Sequence, residues 1–342
     1  MPEPRFLVVR LGSLGDIVHT FPAVASLRET FPNAEIIWLT HPRWETLVAS
    51  SSLASHIWPV ETRSFSSLRK TIHRLRTANF DAAIDFQGLW KSASLPWLGG
   101  VAKRIGFSSQ SIRESGVPIL YTHRVRTSAT HVADQNGELS LRAGAKEGVG
   151  PFRLRISANA DDRVRENLAT LGTDRYVVLS PGGGWHSKYW PSERFGALCQ
   201  RIHNSLGLRC ILNSGPGEDD LVAAVLAASG GAGPLPFRSD LEQLMAVLRN
   251  ALCIVGGDTG PLHLAVALGA PVVALFGPTD PARNGPYPPA QRTASNAKQN
   301  IVLRSPKAVT SYKRRDQYDP SMLEISVEQV FEAVRRQIGT CA

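Results

Sequence analysis

Phe6-Leu7-Val8-Val9-Arg10-Leu11-Gly12-Ser13-Leu14-Gly15-Asp16 decides how this chain is read. Four continuous apolar residues suit a strand buried on both faces. Two glycines then mark a turn, and the stretch from Ile17 to Phe31 has helical spacing. Strand, glycine turn and helix open an α/β domain built on a parallel sheet. Ile36-Ile37-Trp38-Leu39 and Asp81-Ala82-Ala83-Ile84-Asp85-Phe86 are the next strand candidates. Between them Phe65, Leu68, Ile72 and Leu75 recur at helical spacing, with Arg63, Arg69, Lys70, His73, Arg74 and Arg76 on the other side.

The alternation restarts in the second half. Tyr176–Ser180 runs into Pro181-Gly182-Gly183-Gly184, and a helix is expected over Ser192–Ser205. Next come a strand at Cys210-Ile211-Leu212, the turn Ser214-Gly215-Pro216-Gly217 and a helix over Glu218–Ser229. Cys253-Ile254-Val255 leads into Gly256-Gly257-Asp258-Thr259-Gly260, then a helix over Pro261–Leu268 and a strand over Val272–Phe276. A last helix, Val327–Ile338, has no strand after it. A polar segment from Ser157 to Thr173 separates the two runs. The pattern predicts two Rossmann-like, doubly wound α/β domains facing across a cleft, residues 1–156 and 157–342, with the last helix packing back on the first.

Length and composition agree. At roughly 100–200 residues per domain, 342 residues make two domains. With 43% hydrophobic and 20% charged residues the chain can bury a core, which excludes disordered and collagen-like classes. Up to Ile156 there are 19 basic residues against 12 acidic, and beyond it 19 against 17, so most of the +9 sits in the first half. An acidic partner is expected to dock there. Cys199, Cys210, Cys253 and Cys341 are too sparse for a disulfide scaffold and form no zinc-type pair, which fits a reducing cytoplasm. No apolar run reaches the roughly 18–20 residues of a membrane span.

Four places carry chemistry. Asp16 follows the first strand, at the sheet edge where open α/β folds bind ligands, and a carboxylate there can serve as a general base. A helix N-cap is the competing reading. Gly182-Gly183-Gly184 followed by Lys188 reads as a phosphate cradle, with a surface loop anchored by Trp185 and Trp190 as the alternative. Gly257-Asp258-Thr259-Gly260-Pro261-Leu262-His263 places a helix start, with its partial positive charge and free N–H groups, beside a histidine, which suits a diphosphate. Glu218 is placed like the acidic residue that holds a ribose, or like a helix cap. The basic stripe suits phosphates and carboxylates at a membrane surface, and carries too few aromatics for nucleic acid.

Together these stretches resemble glycosyltransferase family 9, the lipopolysaccharide heptosyltransferases, nearly end to end. The resemblance rests on R-L-G-S-L-G-D (Arg10 to Asp16), D-F-Q-G-L-W-K-S-A (Asp85 to Ala93), K-Y-W-P (Lys188 to Pro191), S-G-P-G-E (Ser214 to Glu218), D-T-G-P-L-H (Asp258 to His263) and F-G-P-T-D-P (Phe276 to Pro281). D-x-Q-G-L-x-K-S is closest to the heptosyltransferase I branch.

The resemblance implies a GT-B fold and inverting, metal-independent transfer of heptose from ADP-L-glycero-D-manno-heptose to Kdo of a lipid A precursor. It implies no cofactor, and a place on the cytoplasmic face of the inner membrane. By motif, Asp16 becomes the base, and Lys188 with Thr259, Gly260 and His263 stabilises the departing diphosphate. Asp258 positions that loop, Glu218 holds the adenosine ribose, and Gly183 and Gly184 offer amides. Arg63, Arg69, Lys91 and Arg113 are the expected acceptor-side cations. Gly182-Gly183-Gly184 stands where the family often has threonines, so backbone contacts to the donor phosphates are expected. The alternatives are another family 9 donor or acceptor and a GT-B-fold nucleotide-sugar epimerase.

Overall fold

The computed structural model describes residues 3–170, 172–287 and 300–339, so Cys341 lies outside the described residues. Each half of the chain wraps one six-stranded parallel sheet. The first contains β1 (Arg5–Val9), β2 (Glu35–Thr40), β3 (His56–Pro59), β4 (Ala82–Asp85), β5 (Arg104–Phe107) and β6 (His123–Val125), in the order β3-β2-β1-β4-β5-β6. The second contains β7 (Tyr176–Ser180), β8 (Arg209–Ser214), β9 (Leu235–Arg238), β10 (Cys253–Gly257), β11 (Val272–Phe276) and β12 (Ile301–Arg304), in the order β12-β11-β10-β7-β8-β9. Counted from its own first strand, each sheet runs 3-2-1-4-5-6, the doubly wound order of a dinucleotide-type fold. The chain divides into two compact units, one running to Arg155 and the other beginning at Ile156.

The central strands form where the sequence is continuously apolar, because both of their faces are covered. Leu7, Val9, Ile37, Leu39 and Ala83 meet Trp58, Leu75 and Leu95 in the first unit. Val177, Leu179, Leu212, Val255, Val273 and Leu275 meet Phe195, Ile202, Phe331 and Val334 in the second. In register, Val8 lies between Trp38 and Ile84, and Val255 between Leu179 and Val273.

Three expectations need correction. The helix expected over Ile17–Phe31 is two helices, Leu14–Val18 and Phe21–Thr30, with Pro22 in the first turn of the second. Proline lacks an N–H and suits only a helix start. The polar segment Ser157–Thr173 contains the helix Ala158–Thr170, which buries Ala160, Val164 and Leu168 at four-residue spacing. Phe65 is not on the buried face of its helix, Phe65–Thr77, but 81% exposed at its first residue, while Thr71 and Leu75 are buried. The last helix, Val327–Gly339, belongs to the second unit. Val330, Phe331 and Val334 are buried in the core of the second unit, and Gln337 donates to the Val272 carbonyl at 3.2 Å.

Candidate active site

In a sheet ordered 3-2-1-4-5-6 the connections part to opposite faces beside the first strand, leaving a crevice at the carboxyl ends of strands 1 and 4. Here those are β1 with β4, and β7 with β10. Both places hold the charged side chains that the sequence singled out.

In the first unit, Asp16 stands in the first turn of the helix after β1. It is not the N-cap. Ser13 takes that position, and Asp16 is three residues in, reaching back to accept from the Ser13 amide at 3.1 Å and the Ser13 hydroxyl at 3.0 Å. Its other oxygen, Oδ1, is 2.7 Å from Arg10 Nη2. Arg10 is buried at the end of β1 and also donates to the Phe86 carbonyl just past β4. The carboxylate is thus oriented on both oxygens, yet its side chain is 44% exposed. A held but accessible carboxylate can accept a proton from a bound hydroxyl. Arg10 opens the R-L-G-S-L-G-D motif, which by itself gives it no role.

Beside it, Asp85 ends β4 and is fully buried. Tyr121 Oη donates to it at 2.6 Å, Ser92 Oγ at 2.9 Å, and the Gln87 and Gly88 amides at 2.9 and 3.3 Å. Burial pushes this carboxyl upward, and those four hydrogen bonds offset part of the rise. Asp85 ties together the loop after β4. Gln87 Oε1 from that loop in turn accepts the Leu11 amide at 2.8 Å, which links it to the Asp16 turn.

Of the four expected acceptor-side cations, all are exposed, and none forms an ion pair among the described residues. Arg63 follows β3, Lys91 opens the helix after β4, and Arg113 follows β5, so the topology brings these three to the sheet edge that carries Asp16. The Trp90 amide donates to Glu114 at 2.8 Å, which brings the Lys91 and Arg113 segments together. Arg69 lies further along its helix, away from that edge. The rest of the stripe is partly structural. Arg74 stacks on Trp58 at 3.7 Å and Arg76 donates to the Leu98 carbonyl at 3.0 Å.

The second unit gathers its residues more tightly. Lys188 Nζ is 2.5 Å from Asp258 Oδ2 and donates to the Asp258 carbonyl at 3.3 Å. His263 Nε2 is 3.0 Å from Asp258 Oδ1. The side chains are 10%, 5% and 5% exposed for Lys188, Asp258 and His263. Burial alone would raise the Asp258 carboxyl. Hydrogen bonding and charge from His263, and then from Lys188, outweigh it and hold the group well below its ordinary value. Thr259 stands at the N-cap of the helix Gly260–Ala267, and its buried hydroxyl has no hydrogen-bond partner among the described residues. The amides of the first turn, less that of Pro261, face the same edge as this hydroxyl. A buried donor left unsatisfied costs about 1–3 kcal/mol and marks where a ligand oxygen fits.

The glycine loop closes over this corner. A Cβ on Gly183 would sit 3.1 Å from Thr259 Cγ2 and 3.2 Å from Tyr189. Tyr189 Oη donates to the Gly183 carbonyl at 3.1 Å. Gly182, which belongs to the expected cradle but has no role of its own there, is the most constrained of the three, because any Cβ there would run into the Glu218 carboxylate. Gly184 faces open space. Glu218 is half-buried and accepts the Gly215 amide at 2.7 Å, closing the turn after β8. It is the N-cap residue of the helix Asp219–Ala228, yet its side chain does not cap that helix. Trp190 only packs, donating to the Ile325 carbonyl at 2.9 Å. Trp185 does more, since its ring lies 3.9 Å from Lys188 Nζ. Among the described residues no cluster of three His, Cys, Asp or Glu is placed to hold a metal, and no helix is long and apolar enough to cross a membrane.

Residues 68–312 match the family described as Glycosyltransferase family 9 (heptosyltransferase). The chain is 27% identical over 321 residues to lipopolysaccharide heptosyltransferase 1 of Escherichia coli K12, covering 89% of this chain and 98% of that protein. It is 29% identical over 299 residues to lipopolysaccharide heptosyltransferase 1 of Pseudomonas aeruginosa, covering 83% and 81%. Its fold matches a glycosyl transferase family 9 structure from Veillonella parvula with a TM-score of 0.84 at 21% identity, over 99% and 98% of the two chains. It also matches E. coli heptosyltransferase WaaC with ADP, with a TM-score of 0.75 at 23% identity, over 97% and 99%.

Proposed function

The chain belongs to glycosyltransferase family 9, and on that premise we propose that it moves heptose from ADP-L-glycero-D-manno-heptose onto Kdo of a lipopolysaccharide inner-core precursor, with inversion. The observation that carries the donor half is the Lys188–Asp258–His263 group beside the partnerless Thr259 hydroxyl at a helix N-terminus. Uncompensated N–H groups and a buried hydroxyl at that place suit a diphosphate. The names of the relatives support heptose and the lipopolysaccharide core as substrate classes.

In this reading the first domain expected from the sequence, residues 1–156, binds the acceptor and the second, residues 157–342, the nucleotide sugar. Asp16 accepts the proton of the acceptor hydroxyl as its oxygen forms a bond to the anomeric carbon. The bond from that carbon to the β-phosphate oxygen breaks, and its electron pair leaves with ADP. The charge developing on ADP meets the Lys188 ammonium, the Thr259 hydroxyl and the Gly260 amide, with His263 holding Asp258 in place. Fixed donors of this kind supply much of the barrier lowering without a metal, because they need no reorganisation as the charge appears. Glu218 accepts from the adenosine ribose hydroxyls, and Gly183 and Gly184 lend amides to the phosphates. Arg63, Arg69, Lys91 and Arg113 engage the acceptor's carboxylates and phosphates. In the same reading the enzyme works at the cytoplasmic face of the inner membrane, and the +7 balance of the first half supports work at an anionic surface.

Lys188→Ala tests the donor half. Removing one such cation is expected to lower kcat by about 100-fold or more, with the acceptor's KM unchanged. Steady-state kinetics with each substrate varied checks it, and an effect confined to the acceptor's KM would refute the assignment.

A further inference from the structure

The Lys188–Asp258 pair is electrically neutral, whereas a diphosphate leaving group is multiply anionic. A second cation stands on the same indole. Lys188 Nζ lies 3.9 Å from the centre of the Trp185 ring, and the Arg314 guanidinium lies 5.3 Å from it. Arg314 comes from the segment after β12, which is strapped along the carboxyl edge of the second sheet. The Ser311 amide donates to the Pro278 carbonyl at 2.7 Å, just past β11. The Ser187 amide donates to the Arg315 carbonyl at 3.2 Å, and Tyr318 stacks on His186 at 4.4 Å. These contacts fix the backbone on both sides of Arg314 while its side chain stays exposed. Among the described residues no carboxylate forms an ion pair with it.

We propose that Arg314 is a donor-binding residue that grips the diphosphate together with Lys188. The inference rests on the donor reading given above and deepens it. Asp258 offsets the charge of Lys188 in the resting site, so a cation that faces no carboxylate adds positive charge that a diphosphate can use. Arg314 has that charge, five N–H donors in a planar fork suited to phosphate oxygens, and an aromatic platform that limits its freedom. Lys188 then serves the developing charge in a buried site, and Arg314 closes the outer side.

Titration calorimetry of ADP with the full chain, comparing wild type with Arg314→Gln and Arg314→Lys, tests this. The Gln variant is expected to bind ADP about tenfold more weakly with an unchanged melting temperature. The Lys variant should recover part of the loss, and added salt should weaken ADP binding less in the Gln variant than in wild type. Unchanged ADP affinity in Arg314→Gln would overturn the inference while leaving the donor reading standing. Equal losses in both variants with lowered melting temperatures would reduce Arg314 to packing on Trp185 and overturn it too. A wild-type protein that does not bind ADP would overturn the donor reading, and this inference with it.

Discussion

Asp16 and Asp258 are both paired carboxylates, and their surroundings suit them to opposite work. Asp16 is oriented by Arg10 and Ser13 but remains accessible, whereas Asp258 is buried between two partners. Replacing Asp16 by Asn removes the base and keeps the shape. Turnover is expected to fall by about 100- to 10,000-fold with ADP affinity unchanged, as single-turnover kinetics and calorimetry would show. The buried Arg10 also loses its ionic partner, so a modest drop in melting temperature should accompany it. Asp258 makes a pH-dependent contribution to stability. Its carboxyl is depressed in the folded state, so its stabilisation is complete above the ordinary value of 3.8 and fades as pH falls through the lower folded value. Melting curves of wild type and Asp258→Asn should therefore be far apart at neutral pH and converge toward pH 2. A constant gap would show that the pairs with Lys188 and His263 carry no such linkage.

At the scale of elements, what the sequence made legible follows from burial. β1, β2, β4, β7, β8, β10 and β11 are covered on both faces and read as apolar runs. The edge strands β3, β6, β9 and β12 did not stand out, because an edge position tolerates His123-Arg124-Val125 or a proline at Pro236. The helix Ala158–Thr170 was hidden by the same polarity, since only a narrow stripe of it is buried. The site was legible where glycine turns and charge coincide, as at Asp16 and at Asp258 to His263. Partners distant in sequence were not legible, such as Arg10 with Phe86, Gly182 with Glu218, and Arg314 with Trp185. Gly182→Ala must push the Glu218 carboxylate aside, so it should raise the donor's KM and leave the acceptor's KM unchanged. Asp85→Ala strands two hydroxyls and two amides around a buried gap, and is expected to cost about 1–3 kcal/mol in denaturant unfolding.

The whole molecule repeats one winding twice, 3-2-1-4-5-6, and each sheet carries its charged residues at the carboxyl ends of its first and fourth strands. Charge divides the halves, at +7 up to Ile156 and +2 beyond it. If the first half meets a polyanionic lipid and the second a buried diphosphate, ionic strength should act unequally on the two substrates. Exposed charges are screened over about 10 Å at 0.1 M salt, whereas buried pairs are screened much less. The acceptor's KM should thus rise steeply with salt and the donor's only weakly. The most direct measurement is ADP release from ADP-heptose, with and without a Kdo-bearing lipid A acceptor, in buffer containing EDTA. Release that requires the acceptor and survives EDTA is the predicted result. No release with both substrates present, release without acceptor, or release abolished by EDTA would contradict a metal-independent heptosyltransferase.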